Sequence, residues 1–589
     1  MGQSATRGGK TFRAFSFLGV VLYFTALTLW MTFPLVLRMA DEMVGQVGDN
    51  IYFVWMIGWV KKALFDLRVN PFDVWFLNYP EGWNMAYTEI TPAQLALALP
   101  FSLLVNPVFA YNAAMMLTFI LSGLTMYLWV RYLTGRWDAA LIAGSIYAFL
   151  PYRFAHFLIG HLNLTGTQWL PLYFWGLWDV LRIGREVKAI QWKSVVLAGV
   201  GLGLIALTSQ YYLYMALIVS ALLLGIYLLF LDRLQLRNQW FWRHLLLLGL
   251  VALPMVLLAV APFFRLMEQG GLPDRNMGIT RLYSASPTDF VLPSTDHFLW
   301  GRWIGEQFNR QMWVEGTLYI GVVSAVLGLL ALWKRRHIPN GRLVVLLFWG
   351  GLLAAILAMG IDFHWNGEPL EVATPTFLQK YIDRTSIPIL LPGYFLFKYF
   401  PFYAKLRSLM RFAVFTLVFS SVVAGLGSAW LVERIQPRRR YLATLVLLLL
   451  VWLDFYPGPY QQFARVEPRP VDLWLAQQAD DGAVIQFPFS QSEDQEQTYY
   501  TLFHGKPFVG GFFNAFPPPQ YSRVRPIFEH FPDVQSAALL GELGAYYVLI
   551  DRDAYDASIR QRCEALGLMY ETQLGDQLVF TYPPAKKAQ

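Results

Sequence analysis

The sequence predicts an α-helical polytopic membrane protein of about 11 transmembrane helices, with room for about 12–13, that ends in a small soluble α/β domain. Three observations carry this prediction. Of the 589 residues, 56% are hydrophobic and only 14% charged, with a mean hydropathy of +0.41. Apolar stretches of about twenty residues recur, the length that crosses a hydrocarbon core of about 30 Å. In addition, Lys and Arg gather in every second loop between those stretches, as the orientation rule for membrane helices requires.

The spans fall at roughly 15–37, 108–130, 139–156, 163–181, 194–208, 211–231, 244–264, 315–333, 343–360, 410–432 and 441–457. Before the first stand Arg7, Lys10 and Arg13. That span is too long for a signal-peptide core and no small-residue cleavage site follows it, so it reads as an uncleaved anchor. Basic loops carry Arg131 and Arg136; Arg182, Arg185, Lys188 and Lys193; Arg233, Arg237 and Arg243; Lys334, Arg335, Arg336 and Arg342; and Arg434 with Arg438, Arg439 and Arg440. All join the N-terminus on the cytoplasmic side of a plasma (inner) membrane. The +7 formal charge is thereby a topology signal and no sign of nucleic-acid binding. The single cysteine, Cys563, excludes an intramolecular disulfide.

The outer side then receives loop 38–107, a short turn at 157–162, loops 265–314 and 361–409, and everything from Gly458. Within the first loop, 51–69 has apolar and aromatic residues at helical spacing opposite Lys61, Lys62 and Arg68, which predicts a helix lying in the membrane interface. Residues 93–104 predict a second. The run 387–403 is broken by Pro388, Pro392 and Pro401 and is expected to be re-entrant or interfacial; were it to span, the C-terminal side would flip. The transmembrane domain is thus 1–457 and the soluble domain 458–589. β-rich runs at 483–488, 506–513, 545–550 and 568–582 and helical patterns at 471–479, 534–543 and 554–566 make the latter α/β.

Polar groups at the outer boundary are the candidates for chemistry. Asp41, Glu42 and Asp49 follow the first span; solvation explains acids in an outer loop, but Asp49 opens a helix, where it can cap the first turn and act as a partly desolvated general base. Arg153, His156 and His161 border the 157–162 turn and suit a metal or an anion, although five-residue spacing is no defined ligand signature and interfacial polar residues would look the same. Gln168-Trp169 and Ser209-Gln210-Tyr211-Tyr212 are polar–aromatic clusters that an aromatic belt would also explain. Arg407 and Arg411 stand at the outer end of a span, against the charge rule; at i and i+4 on one helix face they fit an anionic head group, or pairing with an acid of the same chain. Glu315 opens a span, where helix capping is a sufficient reason for it. Ser286 to Asp289 and Leu292 to His297 are turn-forming, and Asp551-Arg552-Asp553, which ends a strand, has the spacing of a nucleotide-sugar metal motif without a nucleotide-binding fold around it.

The order of these features resembles the GT-C superfamily of integral-membrane glycosyltransferases. The residues that carry the resemblance are Asp41-Glu42 and Gly48-Asp49, the interfacial helices after them, His161-x-Asn163 with Gln168-Trp169-x-Pro171, Leu292-Pro293, Glu315 with Tyr319-x-Gly321, and Leu406 to Phe412 before a late span. The chain is similar in particular to the YfhO-like and uncharacterised bacterial multi-spanning proteins that end in an extracytoplasmic domain. The resemblance implies inverting transfer of a sugar from a polyprenyl-phosphate carrier to a glycan, lipid or protein acceptor. It implies an outer-loop acid as base, with Asp49 preferred and Asp41 and Glu42 as alternates. It also implies Arg407 and Arg411 as a phosphate clamp, helped by basic residues or a divalent metal such as Mg or Mn. No Asp-x-Asp occurs in the outer loops, which leaves the metal open. A catalytically silent envelope-glycan protein of the same fold, and a lipid or solute transporter, are the competing readings; against the transporter, no repeat is apparent and the polar residues avoid the bilayer midplane.

Overall fold

The computed structural model describes residues 4–268, 272–309, 312–375, 379, 385–465, 467–512 and 517–582. Each of the predicted spans contains a helix. Among the described residues, five helices are long and apolar enough to cross a membrane: Pro107–Thr134, Gln210–Leu231, Gln239–Glu268, Gly341–Ala358 and Met410–Glu433. The first predicted span is filled mostly by Ser4–Met31, and the remaining ones form shorter helices. The segment 139–156 breaks before Pro151 into Trp137–Ala148 and Pro151–Leu158, and 163–181 divides into Leu162–Thr165 and Leu170–Leu181. Proline disfavours helical backbone in the residue before it and supplies no amide to the preceding turn, so a run of uniform apolarity still ends there.

The bundle is layered around Met410–Glu433, whose apolar stretch is 94% buried, whereas that of Gln239–Glu268 is 17% buried and lies at the periphery. Val322–Trp333, Gly341–Ala358 and Trp137–Ala148 all pack on the central helix. Gly427 and Gly425 permit the approach: a β-carbon at Gly425 would sit 2.8 Å from that of Ala143.

The first loop differs from its expected form. The helix Asp49–Lys61, continued by Lys62–Leu67, is buried on every side from Asn50 to Val60. It does not lie half-immersed in an interface. A helix apolar all round belongs in a core, and here the helix Gln491–His504 covers it, with Trp55 Nε1 donating to Thr501 Oγ1 at 3.3 Å. The helix Pro92–Leu104 forms as expected, with Leu103 and Leu104 exposed. The run 387–403 holds only an eight-residue helix, Pro392–Tyr399.

The C-terminal segment contains a four-stranded sheet ordered Met569–Leu574, Gln577–Thr581, Ala545–Asp551, Ala483–Phe487, with the last pair parallel. Residues 506–512 form no strand of their own; Phe508 makes single bridges to Leu77 and Val484 because the segment is wedged between the first loop and the sheet. Phe513 lies outside the described residues. Two helices without a clear apolar period, Gln491–His504 and Pro519–Phe528, escaped the sequence reading. Backbone pairing ties this segment to the first loop, through Met43↔Ala464 and Val44↔Phe463 and through Asn78 N to Gly510 O.

Candidate active site

One cavity of about 1090 Å³ opens where the first loop, the 157–164 turn, and the segments before Val322–Trp333 and Ala413–Glu433 meet. Asp49, His161, Glu315, Arg407 and Arg411 line it together. Asp41, Glu42, Arg153 and His156 are not among its lining residues.

Asp49 is the first residue of its helix. Its side chain makes a 2.7 Å contact with His161 Nε2. Its neighbour Asn50 shapes the approach, accepting from Gly48 N at 3.0 Å and donating to Gln46 O at 2.9 Å. On the other side, Gly160 (φ 86°) turns the chain so that His161 faces Asp49. A β-carbon at Gly160 would lie 2.6 Å from Asn50 Cα, so only glycine permits this approach. His161 Nδ1 in turn lies 2.7 Å from His156 Nδ1. The buried His156 brings its Nε2 to 4.0 Å from Glu315 Oε2.

Glu315 stands in the loop before Val322–Trp333, not at a helix start, so capping does not account for it. It holds Arg411 through Nη2–Oε1 at 2.5 Å and Nε–Oε1 at 3.0 Å, and accepts from Ser408 Oγ at 3.0 Å. Burial pushes the Glu315 carboxyl up, and the adjacent Arg411 guanidinium together with the nearby imidazoles brings it below the usual carboxylate range. Arg411 also lies over the Tyr211 ring, 4.8 Å from its centroid. Pairing with an acid of the same chain, the alternative to head-group binding, is therefore what the structure shows at Arg411. Arg407 is not on a shared helix face with it: residues 406–409 are non-helical and the helix proper begins at Ala413. Arg407 is exposed, donates from Nη2 to the Tyr283 hydroxyl and stacks on that ring. Lys405, also at the rim, donates to Leu272 O at 2.7 Å and reaches Asp274 at 3.1 Å.

The sequence reading overlooked Glu89. It precedes the helix Pro92–Leu104 and lines the cavity, with Asn163 Nδ2 donating to Oε2 at 2.6 Å and Ser209 Oγ donating to Oε1. Burial raises its carboxyl above the ordinary range, opposed by those donors and by Arg411. The available signal was an acid two residues before Thr91-Pro92, a helix-start pattern in the same outer loop as the other acid candidates.

Other candidates have structural employment. Glu42 pairs with Arg38 at 2.6 Å and Asp41 is exposed. Arg153 is buried among the hydroxyls of Ser122, Thr118 and Thr167 and lies 4.6 Å from the Phe119 centroid. Gln168 Nε2 donates to Gln94 Oε1. Asp289 closes a capping box with Ser286, and Asp551 caps the turn at Asp553. Among the described residues, no group of three or more His, Cys, Asp or Glu side chains is placed to hold a metal ion. Beside Asp49 the His161 ring occupies the near approach to the carboxylate, so the donor set does not fit a divalent cation as arranged.

A family model described as a domain of unknown function, DUF6311, matches residues 20–386. The chain belongs to that family. The DUF6311 description assigns no activity, and no curated protein matches the chain. Its fold is similar to that of a solved glycosyltransferase structure. The arabinofuranosyltransferase AftD from Mycobacteria aligns over 96% of this chain and 42% of its own, with a TM-score of 0.54 at 14% identity. The DUF6311 chain thus spans less than half the length of that neighbour. Two further structures are similar at lower scores. The oligosaccharyltransferase AglB from Archaeoglobus fulgidus, with an inhibitory peptide and a dolichol-phosphate, has a TM-score of 0.46 at 13% identity, covering 98% of this chain and 75% of its own. ArnT from Cupriavidus metallidurans, bound to undecaprenyl phosphate, has 0.47 at 12%, covering 97% and 98%.

Proposed function

We propose that this protein is an inverting membrane glycosyltransferase that moves a sugar from a polyprenyl-phosphate carrier to a glycan, lipid or protein acceptor on the extracytoplasmic face. The observation that carries the reading is a single cavity bordered by a carboxylate at one part and guanidinium groups at another. Its wall also includes the apolar Leu213, Leu217, Val256, Val260 and Phe264. Such a wall suits an isoprenoid tail, which favours burial by about 0.8 kcal/mol per methylene.

In this reading Asp49 takes the acceptor hydroxyl proton as the oxygen attacks the anomeric carbon. The bond from that carbon to the phosphate oxygen breaks, and the phosphate leaves carrying the electron pair. A single displacement inverts the anomeric centre. Oxocarbenium character builds during the attack, and the carboxylates of Asp49 and Glu89 lie on the cavity wall to offset it. Arg407 faces the leaving phosphate, where a guanidinium binds two oxygens at once. Among the described residues no carboxylate is paired with Arg407. Arg411, engaged by Glu315, contributes through its field and through the shape of the site. Phosphate leaves readily, so no general acid is required, unlike the two-carboxylate arrangement of glycoside hydrolysis.

The test is transfer by the purified protein in liposomes, with a panel of polyprenyl-phosphate-linked sugars as donors and cell-envelope extracts as acceptors. Wild type is expected to release polyprenyl phosphate in step with acceptor glycosylation, and Asp49→Asn, folded normally, to lose transfer by at least about 100-fold. Unchanged transfer in Asp49→Asn removes the base assignment; no donor consumption by wild type across the panel removes the reaction.

A further inference from the structure

The reaction scheme gives His156 no contact with substrate, yet the residue is fully buried beside the site, and its hydrogen-bonding pattern is constrained from both ends. Its ring meets Tyr152 edge-on at 4.4 Å, and the Tyr152 hydroxyl lies 2.9 Å from that of Tyr212, which donates to Leu164 O. His161 N donates to His156 O at 2.9 Å, and the two rings lie 5.0 Å apart at 29°. The pair is therefore held by backbone and by packing.

A neutral imidazole has one donor and one acceptor nitrogen. The His161 Nε2 contact with a carboxylate oxygen at 2.7 Å places the proton on that nitrogen. With His161 neutral, its Nδ1 is a bare acceptor, and the 2.7 Å contact between the two Nδ1 atoms is a hydrogen bond only when His156 carries its proton on Nδ1. His156 Nε2 is left bare in the interior, 4.0 Å from Glu315 Oε2 and with no hydrogen-bond partner among the described residues. A buried acceptor without a partner keeps its full desolvation cost. Proton on Nε2 would have let the ring turn its donor toward Glu315; the observed arrangement favours Asp49 instead.

We propose that His156 is a positioning residue: by donating from Nδ1 it fixes His161 in the tautomer that donates Nε2–H to Asp49, which keeps Asp49 ionised and aimed as the base. The proposal rests on Asp49 being that base. The groups facing the pair are Asp49 from the helix Asp49–Lys61, Glu315 from its loop, Arg411 beside Glu315, Tyr152 on the His156 helix and Tyr212 across from it; Tyr52 and Tyr111 lie within electrostatic reach of Asp49. With the His161 donor removed, the carboxylate loses a hydrogen bond to its charged form, and its ionisation moves to higher pH.

Two variants separate this role from packing. In His156→Asn the side-chain amide nitrogen stands near the place of the ring Nδ1 and can donate to His161; in His156→Leu nothing donates. His156→Leu is expected to lower kcat by about 10-fold to 100-fold, leave the donor KM unchanged and shift the acid limb of the pH–rate profile upward by about one unit; His156→Asn is expected to keep the wild-type limb. A wild-type profile in His156→Leu, or a shifted one in folded His156→Asn, overturns the proposal. A second measurement needs no activity: nitrogen chemical shifts of histidine-labelled wild-type protein in nanodiscs at neutral pH. These are expected to show His156 protonated on Nδ1 and His161 on Nε2, and a proton on His156 Nε2 overturns the proposal even if His156→Leu fails to fold. Failure of the base assignment looks different, since Asp49→Asn then transfers at the wild-type rate while the tautomers stay as assigned.

Discussion

Glu315 and Arg411 meet with side chains only 6% and 10% exposed, in a place where either alone would be a buried uncompensated charge. Removing one member of such a pair costs about 3–5 kcal/mol, far more than the pair adds over an apolar replacement. Glu315→Ala is therefore expected to lower the thermal midpoint in detergent sharply, with Glu315→Gln intermediate because it keeps a hydrogen bond to Ser408; unfolding curves that coincide with wild type would contradict the pairing. Arg407→Ala removes an exposed side chain and should leave the midpoint alone, while raising the donor KM by about 10-fold if it binds the phosphate. A wild-type KM takes Arg407 out of the donor site. Glu89 contributes through pH. Burial raises its folded-state pKa, so the native state binds more protons than the unfolded chain and stability falls as pH rises from the ordinary carboxylate range through the raised value. Glu89→Gln is expected to flatten that part of the midpoint-versus-pH curve, and an unchanged slope would place the proton elsewhere.

At the scale of elements, the site depends on two loops touching at glycines. Gly160 meets the start of the Asp49 helix, and Gly45 (φ 88°) passes against the Leu158 carbonyl at the end of the Pro151–Leu158 helix. Both positions need a left-handed backbone that other residues adopt at a cost of about 1–3 kcal/mol, before any clash is counted. Gly160→Ala should separate His161 from Asp49 and lower transfer well beyond its effect on stability, whereas the same change at exposed Gly567 (φ 88°), with open space around it, should cost only backbone strain. Equal effects at the two sites would show that the 157–161 turn does not set the geometry. The helix Asp49–Lys61 teaches a related lesson. Its lysines at 61 and 62 look like a solvent face in one dimension, but Lys61 Nζ donates to Ser102 O and the apolar remainder is covered by Gln491–His504. Periodicity measures which residues share a face; it carries no information about what a distant segment places over that face.

For the whole molecule, this covering makes the chain less divisible than its composition implies. The first loop pairs by backbone with 463–464 and 508–510 and by side chain with Thr501 and Gly511. A chain ending at residue 457 is expected to expose the Asp49 helix and to aggregate or be degraded, while full-length protein survives; a stable, monodisperse 1–457 fragment would show that the C-terminal segment is a dispensable domain. The proposed orientation has its own check in buried Cys563: an impermeant thiol reagent should modify it from outside intact cells once the C-terminal segment is loosened by mild denaturant, and modification only from the cytoplasmic side would reverse the orientation.

The sequence by itself determined that this is a helical membrane protein, where the apolar helices of the bundle lie, and which end of the bundle gathers acids, histidines and arginines. Those properties follow from local quantities: apolar run length against bilayer thickness, proline positions and the distribution of charge. Only the tertiary structure decided which of those groups share a cavity. It turned Glu42 to Arg38, gave Arg411 to Glu315, buried Arg153 among hydroxyls, joined Asp49 to His161, and admitted Glu89, which no motif had marked. Partners such as Asp49 and His161, or Glu315 and Arg411, lie about a hundred residues apart in the chain. Their meeting is set by helix packing and close glycine contacts, which depend on the whole bundle and leave no periodic trace along the sequence.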